Sequence, residues 1–99
     1  MKVYVISDIV VTDQEKYNEY MKLAPNTIAK YGGKYLVRGG NILNSLDWNP
    51  KGRIIVLEFP SKDKLDQWQN SEEYKPVKEI RLEASSSKSI IIESGDLPF

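Results

Sequence analysis

The run Arg53-Ile54-Ile55-Val56-Leu57-Glu58-Phe59 is rich in strand-forming residues, and it is apolar at both parities. In an extended chain successive side chains point to opposite faces. Ile55, Leu57 and Phe59 therefore face one way, and Ile54 and Val56 the other. The same pattern appears near the start, where Val3, Val5, Ile9 and Val11 oppose Tyr4, Ile6 and Val10. A sheet with one wet face alternates apolar and polar residues. These strands do not, so any fold that uses them must cover both faces of its sheet. Large exposed apolar patches are rare on monomers.

The rest of the chain supplies one of those covers. Lys2 to Val11 reads as a first strand. Thr12-Asp13-Gln14-Glu15 has the form of a capping box, with Thr12 as cap and Glu15 reaching back. Apolar residues then recur at Tyr17, Tyr20, Met21, Ala24, Ile28 and Tyr31, a helical spacing one face wide. Pro25 lacks an N–H and clashes with the preceding turn, which predicts a kink or break near Ala24. Gly32-Gly33 ends the helix. Lys34 to Arg38 is a second strand. Gly39-Gly40 reads as a bulge within it, because Ile42, Leu43 and Leu46 continue the apolar content. Asn49-Pro50-Lys51-Gly52 is a turn into the third strand, Arg53 to Phe59. Ser61 caps a second helical region holding Leu65 and Trp68. Pro76 fits the first turn of another helix with Val77, Ile80 and Ala84. Ser85-Ser86-Ser87 breaks it, Ser89 to Glu93 is the last strand, and residues 95–99 form a tail.

The expected order is strand, helix, strand, strand, helix, strand. That is the split βαβ arrangement of an α+β, ferredoxin-like fold with a four-stranded antiparallel sheet. Residues 1–99 are read as one domain. Right-handed crossovers put both helical regions on one face. The other face then needs a partner, and an identical sheet is the simplest one, so a homodimer is expected. Leu97-Pro98-Phe99 is read either as reaching across to that partner or as a frayed terminus.

Composition narrows the functional classes. Fourteen basic and fourteen acidic residues cancel. That argues against nucleic acid as a partner, because such binding rests on a basic stripe. It also gives no polybasic attraction to a membrane surface. There is no cysteine and no histidine. Disulfides, thiolate catalysis and iron–sulfur clusters are excluded, and the commonest metal ligand and general base are missing. No motif implies a metal or a cofactor, and the two Gly-Gly pairs lack the spacing of a phosphate loop. Met1-Lys2-Val3-Tyr4-Val5 runs straight into a strand with no leader, and no apolar run approaches the roughly 20 residues of a membrane span. A cytoplasmic protein is expected.

Three charged residues stand where strands should be apolar. By parity Asp8 shares a face with Tyr4 and Ile6, Glu58 with Ile54 and Val56, and Arg38 with Leu36. A buried carboxylate is costly unless paired, and an arginine fork between two acids could satisfy both. The expectation is one polar cluster in which Arg38 holds an anionic group and Asp8 or Glu58 moves a proton. Its alternative is a structural ion-pair network. Tyr31, Trp68, Tyr74 and Arg81 are candidates for lining a ligand cleft near the helices, against the plainer reading of aromatics at helical spacing as core.

Tyr4-Val5-Ile6-Ser7-Asp8-Ile9, Tyr31-Gly32-Gly33-Lys34-Tyr35-Leu36-Val37-Arg38-Gly39-Gly40, Glu58-Phe59-Pro60-Ser61, Trp68 and Ser71-Glu72-Glu73-Tyr74-Lys75-Pro76-Val77-Lys78 occur in that order. In these runs the chain resembles the domain-of-unknown-function 1330 family over nearly its whole length. The resemblance implies a dimeric α/β-barrel fold and no established reaction. The wider superfamily it points to includes cofactor-independent monooxygenases, haem-degrading enzymes, isomerases and decarbonylases, and a shared fold does not choose among them. Two classes of function stay open. One is an enzyme converting a small polar organic metabolite without a metal. The other is a non-catalytic binding or structural dimer.

Overall fold

The computed structural model describes residues 1–95. The elements run β1 (Val3–Val11), α1 (Gln14–Lys30), β2 (Lys34–Arg38), β3 (Arg53–Phe59), α2 (Lys62–Gln69), α3 (Tyr74–Ala84) and β4 (Ser85–Glu93). The strands form one antiparallel sheet in the order β2-β3-β1-β4. The two strands that are apolar at both parities, β1 and β3, thus take the centre. Their odd-numbered residues, Val3, Val5, Ile9, Ile55, Leu57 and Phe59, are buried beneath the helices. They pack against Tyr17, Tyr20, Ala24 and Ile28 of α1, Leu65 and Trp68 of α2, and Tyr74, Val77 and Ala84 of α3. The even-numbered residues point to the opposite, outer face. There Tyr4, Ile6, Val10, Ile54 and Val56 are half-buried, while Ile90 and Ile92 of β4 are exposed.

Local chemistry explains the boundaries. Asp13 caps α1, its Oδ1 accepting the Lys16 amide at 3.1 Å. The cap therefore lies one residue beyond Thr12, and the expected capping box does not form. At the other end the Gly33 amide donates to the Ile28 carbonyl and the Gly32 amide to that of Ala29, both at 3.0 Å. This is a Schellman closure, and Gly32 takes the left-handed conformation it requires (φ +78°). Ser61 caps α2 by accepting the Lys64 amide.

Three expectations are corrected. First, α1 runs through Pro25 without a break. The proline removes the amide that would bond the Met21 carbonyl, four residues back. Arg38 Nη2 replaces it, donating to Met21 O at 2.7 Å. Second, Gly39-Gly40 ends β2, and the bulge falls earlier, between Tyr35 and Val37. Ile42, Leu43, Leu46 and Trp48 lie in the loop that follows and are exposed, Leu43 almost completely at 95%. Third, Ser85-Ser86-Ser87 does end α3, at Ala84, but it already belongs to β4, paired with Val11, Val10 and Ile9, so the last strand starts at Ser85 and not at Ser89. Leu97-Pro98-Phe99, the segment placed to reach a partner, lies outside the described residues.

Candidate functional site

Between the inner sheet face and the helices lies a cavity of about 270 Å³. Its floor is read directly from the strand register. Tyr35, Leu57, Val5 and Ile91 form one cross-sheet row, and Arg38, Ile55, Ser7 and Ser89 form the next. Arg53 stands one row further, beside Ile9. Ser7 and Ser89 satisfy each other, Oγ to Oγ at 2.7 Å.

The walls are aromatic. Trp68 and Tyr74 stack with ring centroids 4.1 Å apart. Tyr20 and Tyr74 share a hydrogen bond between their hydroxyls at 2.9 Å, and the Trp68 indole donates to Thr27 Oγ1 at 3.0 Å. Burial, first among the causes, raises the Tyr17 phenol above its ordinary value against the charges of Arg53, Arg81 and Arg38. Burial likewise drives Tyr20 far up, with help from Tyr74, and takes Tyr35 to about 12. These phenols stay protonated at neutral pH.

Among the described residues, the charges that line the cavity are all of one sign: Arg38, Arg53, Lys78 and Arg81, with no aspartate or glutamate. Arg38 stacks on Tyr35 at 4.6 Å and Arg53 on Tyr17 at 5.5 Å, measured to the ring centroids. Arg53 Nη1 also reaches the sulfur of Met21 at 3.0 Å. Arg81 Nη1 donates to Ser87 Oγ at 3.2 Å, while its Nε is buried without a hydrogen-bond partner. Among the described residues none of the four cations enters an ion pair. A buried polar atom without a partner is costly, and like charges gathered at one cavity repel one another.

The expected trio of Asp8, Arg38 and Glu58 does not form. Leu36 is the extra residue of the β2 bulge, so parity reverses after it, and Arg38 pairs with Ile55 on the inner face. Asp8 and Glu58 stay on the outer face. They are four residues apart along the ladder, since Tyr4 pairs with Glu58 and Asp8 with Ile54, which is about 13 Å at strand spacing. Asp8 accepts the amides of Lys51 (2.9 Å) and Gly52 (2.8 Å), and so ties down the end of the β2–β3 loop. Glu58 sits near Lys34 at 3.4 Å and Lys2 at 3.7 Å. Partial burial pushes its carboxyl up, but hydrogen bonds from Tyr4 and Lys34 and the nearby lysine charges outweigh that and hold it below the ordinary value. Both acids are thus engaged structurally, away from the cavity.

Of the residues expected to line a ligand cleft, Arg38, Trp68, Tyr74 and Arg81 meet at this cavity. Tyr31 does not: its hydroxyl donates to the Glu73 carboxylate, with contacts of 3.2 and 3.3 Å. Arg53 and Lys78 went unread in the sequence, although a signal existed for each. Arg53 is a charge at the head of an apolar strand. Lys78 lies between Tyr74 and Arg81 at helical spacing, which puts all three on one side of α3.

The fold itself has clear relatives, a class of ferredoxin-like α+β proteins. A protein of unknown function from Rhodopseudomonas palustris superposes with a TM-score of 0.78 at 15% identity, over 97% of this chain and 84% of its own. A dimeric ferredoxin-like protein of unknown function from Jannaschia sp. CCS1 gives 0.74 at 12% identity, over 94% and 99%. SnoaB, a cofactor-independent oxygenase from Streptomyces nogalater, gives 0.59 at 14% identity, over 98% and 96%. At such identities the likeness carries the fold and no activity. Within this class the chain belongs to the family described as Domain of unknown function (DUF1330), whose model matches residues 2–95. No curated protein matches the sequence.

Proposed function

We propose that this protein binds a small organic anion with an aromatic or otherwise planar body, held in the cavity between the inner sheet face and the helices. The observation that carries the reading is the composition of the wall among the described residues: four cations, stacked aromatics and no carboxylate. A planar anion would stack on Trp68 and Tyr74 and offset the cations. The volume suits a small metabolite, just under the usual range of ligand pockets of about 300–1,000 Å³. Among the described residues the wall holds no carboxylate, and the chain has no histidine; these are the side chains that most often take a proton near neutral pH. The reading is therefore one of binding an acid already ionised. Asp8 and Glu58, on the outer face, have no proton-moving part in it.

The protein works as a homodimer in this reading, joined through the outer face. Ile6, Val10, Ile54, Val56, Ile90 and Ile92 lie on that face, the last two exposed. A structural relative is described as dimeric, which supports a two-chain assembly. Light scattering at micromolar concentration should give the mass of two chains, and a one-chain mass would remove the dimer from the reading.

Thermal-shift titration tests the site. Benzoate should raise the melting temperature by mass action, whereas benzamide, its neutral analogue, should not. Arg53→Gln should weaken the benzoate response. Equal responses to benzoate and benzamide, or none to either, would overturn the anion site.

A further inference from the structure

The four cations of the cavity are not scattered around its rim. They come as two pairs, carried by opposite flanks of the molecule. Arg38 and Arg53 belong to β2 and β3, and both reach Met21 of α1, one at its carbonyl oxygen (2.7 Å) and the other at its sulfur (3.0 Å). Lys78 and Arg81 are three residues apart on α3, which packs mainly against α1 and runs directly into β4, and Arg81 is anchored to Ser87 of that strand. In the sheet order β2-β3-β1-β4, Arg38 stands on one edge strand and Ser87, the partner of Arg81, on the other, with Arg53 on β3 next to the first edge. Three strand spacings separate β2 from β4, about 14 Å between backbones. Between the two pairs the floor is neutral: Ile55, Leu57, Val5 and the mutually bonded Ser7 and Ser89.

Like charges held near one another repel, and an anion placed between them offsets that repulsion. Each pair can take its own counter-charge. One monoanion can relieve one pair and must leave the other unmatched. On the β2–β3 flank the guanidiniums spend few of their donors. Arg38 uses one nitrogen on Met21 O, and Arg53 uses one on a thioether, a weak acceptor, and one at 3.3 Å on the Arg38 carbonyl. On the α3 flank Arg81 Nε is buried and unpartnered. Both flanks thus keep unspent hydrogen-bond donors suited to anionic oxygens.

We infer that the ligand is two-ended: a planar or aromatic body carrying an anionic group at each end, one held by Arg38 and Arg53, the other by Lys78 and Arg81. This rests on the anion-binding reading above and adds to it the number and placement of the charges. The chemical class is that of aromatic dicarboxylates and carboxyphenolates, with the ring lying over the serine pair and against Trp68 and Tyr74.

The experiment compares benzoate with the three benzenedicarboxylates, phthalate, isophthalate and terephthalate, by calorimetric titration of the wild-type protein at one fixed ionic strength. At least one dicarboxylate should bind about tenfold or more tightly than benzoate. Lys78→Gln should remove that advantage, lowering dicarboxylate affinity by more than it lowers benzoate affinity. If every dicarboxylate binds no better than benzoate, or if Lys78→Gln leaves the advantage intact, the two-ended ligand is wrong while the anion cavity stands. If neither benzoate nor any dicarboxylate binds, the anion cavity itself falls, and this inference with it.

Discussion

The two faces of the sheet are built from the same strands and have opposite characters. On the inner face, charge and aromatic surface gather around a cavity, and every charge that lines it among the described residues is positive. On the outer face the surface is mostly aliphatic, and its acids are spent. Asp8 is bound to the amides of the β2–β3 loop end, and Glu58 is held by Tyr4 and two lysines. A strand's period of two lets one stretch of chain serve two surfaces at once, because adjacent side chains never share a face. The contrast teaches where each kind of function can lie. A face with unmatched cations calls for a ligand, and a face with unmatched aliphatic area calls for another surface.

The largest effect should come from attacking the two faces with single substitutions. Phe59 is fully buried on the inner face, and Phe59→Ala should cost about 3–5 kcal/mol in urea unfolding, the usual range for emptying a packed aromatic site. Ile90, on the outer face, is 58% exposed. Ile90→Asp should leave the circular dichroism spectrum unchanged and shift the light-scattering mass from two chains toward one. Equal damage to the fold from both would erase the distinction between the faces.

A smaller effect tests why α1 survives its proline. Arg38→Ala should lower stability by about 1 kcal/mol, the net worth of one hydrogen bond. In a Pro25→Ala background, the substituted residue brings a backbone amide that can bond the Met21 carbonyl directly. The same Arg38→Ala change should then cost measurably less. Additive costs in the double-mutant cycle would show that Arg38 is not the proline's substitute donor.

The smallest effect concerns a site on neither face. Glu73 is held down to about 2, first by the hydrogen bond from Lys30 and also by that from Tyr31. A carboxyl whose value falls on folding stabilises the protein above its ordinary value, here 4.5, and loses that contribution as pH falls through the folded one. The melting-temperature advantage of wild type over Glu73→Gln should therefore shrink as the pH is lowered from about 4.5 to about 2. The pair is solvent-exposed, so the change should be slight. An advantage that grows toward acid would have the sign wrong.

What the sequence made legible follows from how far apart the cooperating residues stand. The strand order, the extent of β3 and the buried stripe of α1 are local patterns, and they read correctly. The paired apolar faces of β1 and β3 pointed to two covered surfaces. Pro25 misled because its compensation comes from Arg38, on the strand that follows the helix and across a turn, where no local rule reaches it. The β2 bulge misled more seriously. It falls at Leu36, among strand-forming residues, whereas Gly39-Gly40 carries the usual sign of a bulge and instead ends the strand. One inserted residue reverses parity, and it moved Arg38 from the acids of the outer face to the cations of the inner one. The cation set itself draws on β2, β3 and α3, so only the assembled fold brings it together.

The chain has two tryptophans, and they divide the molecule conveniently. Trp68 is part of the cavity wall, while Trp48 lies in the β2–β3 loop, 57% exposed. Their two indole N–H resonances are separable by proton–nitrogen correlation spectroscopy, with Trp48→Phe assigning the pair. Titration with benzoate should move the Trp68 resonance, saturably and in parallel with the thermal shift, and leave that of Trp48 in place. A Trp68 resonance that stays fixed at saturating benzoate would contradict an anion site in this cavity.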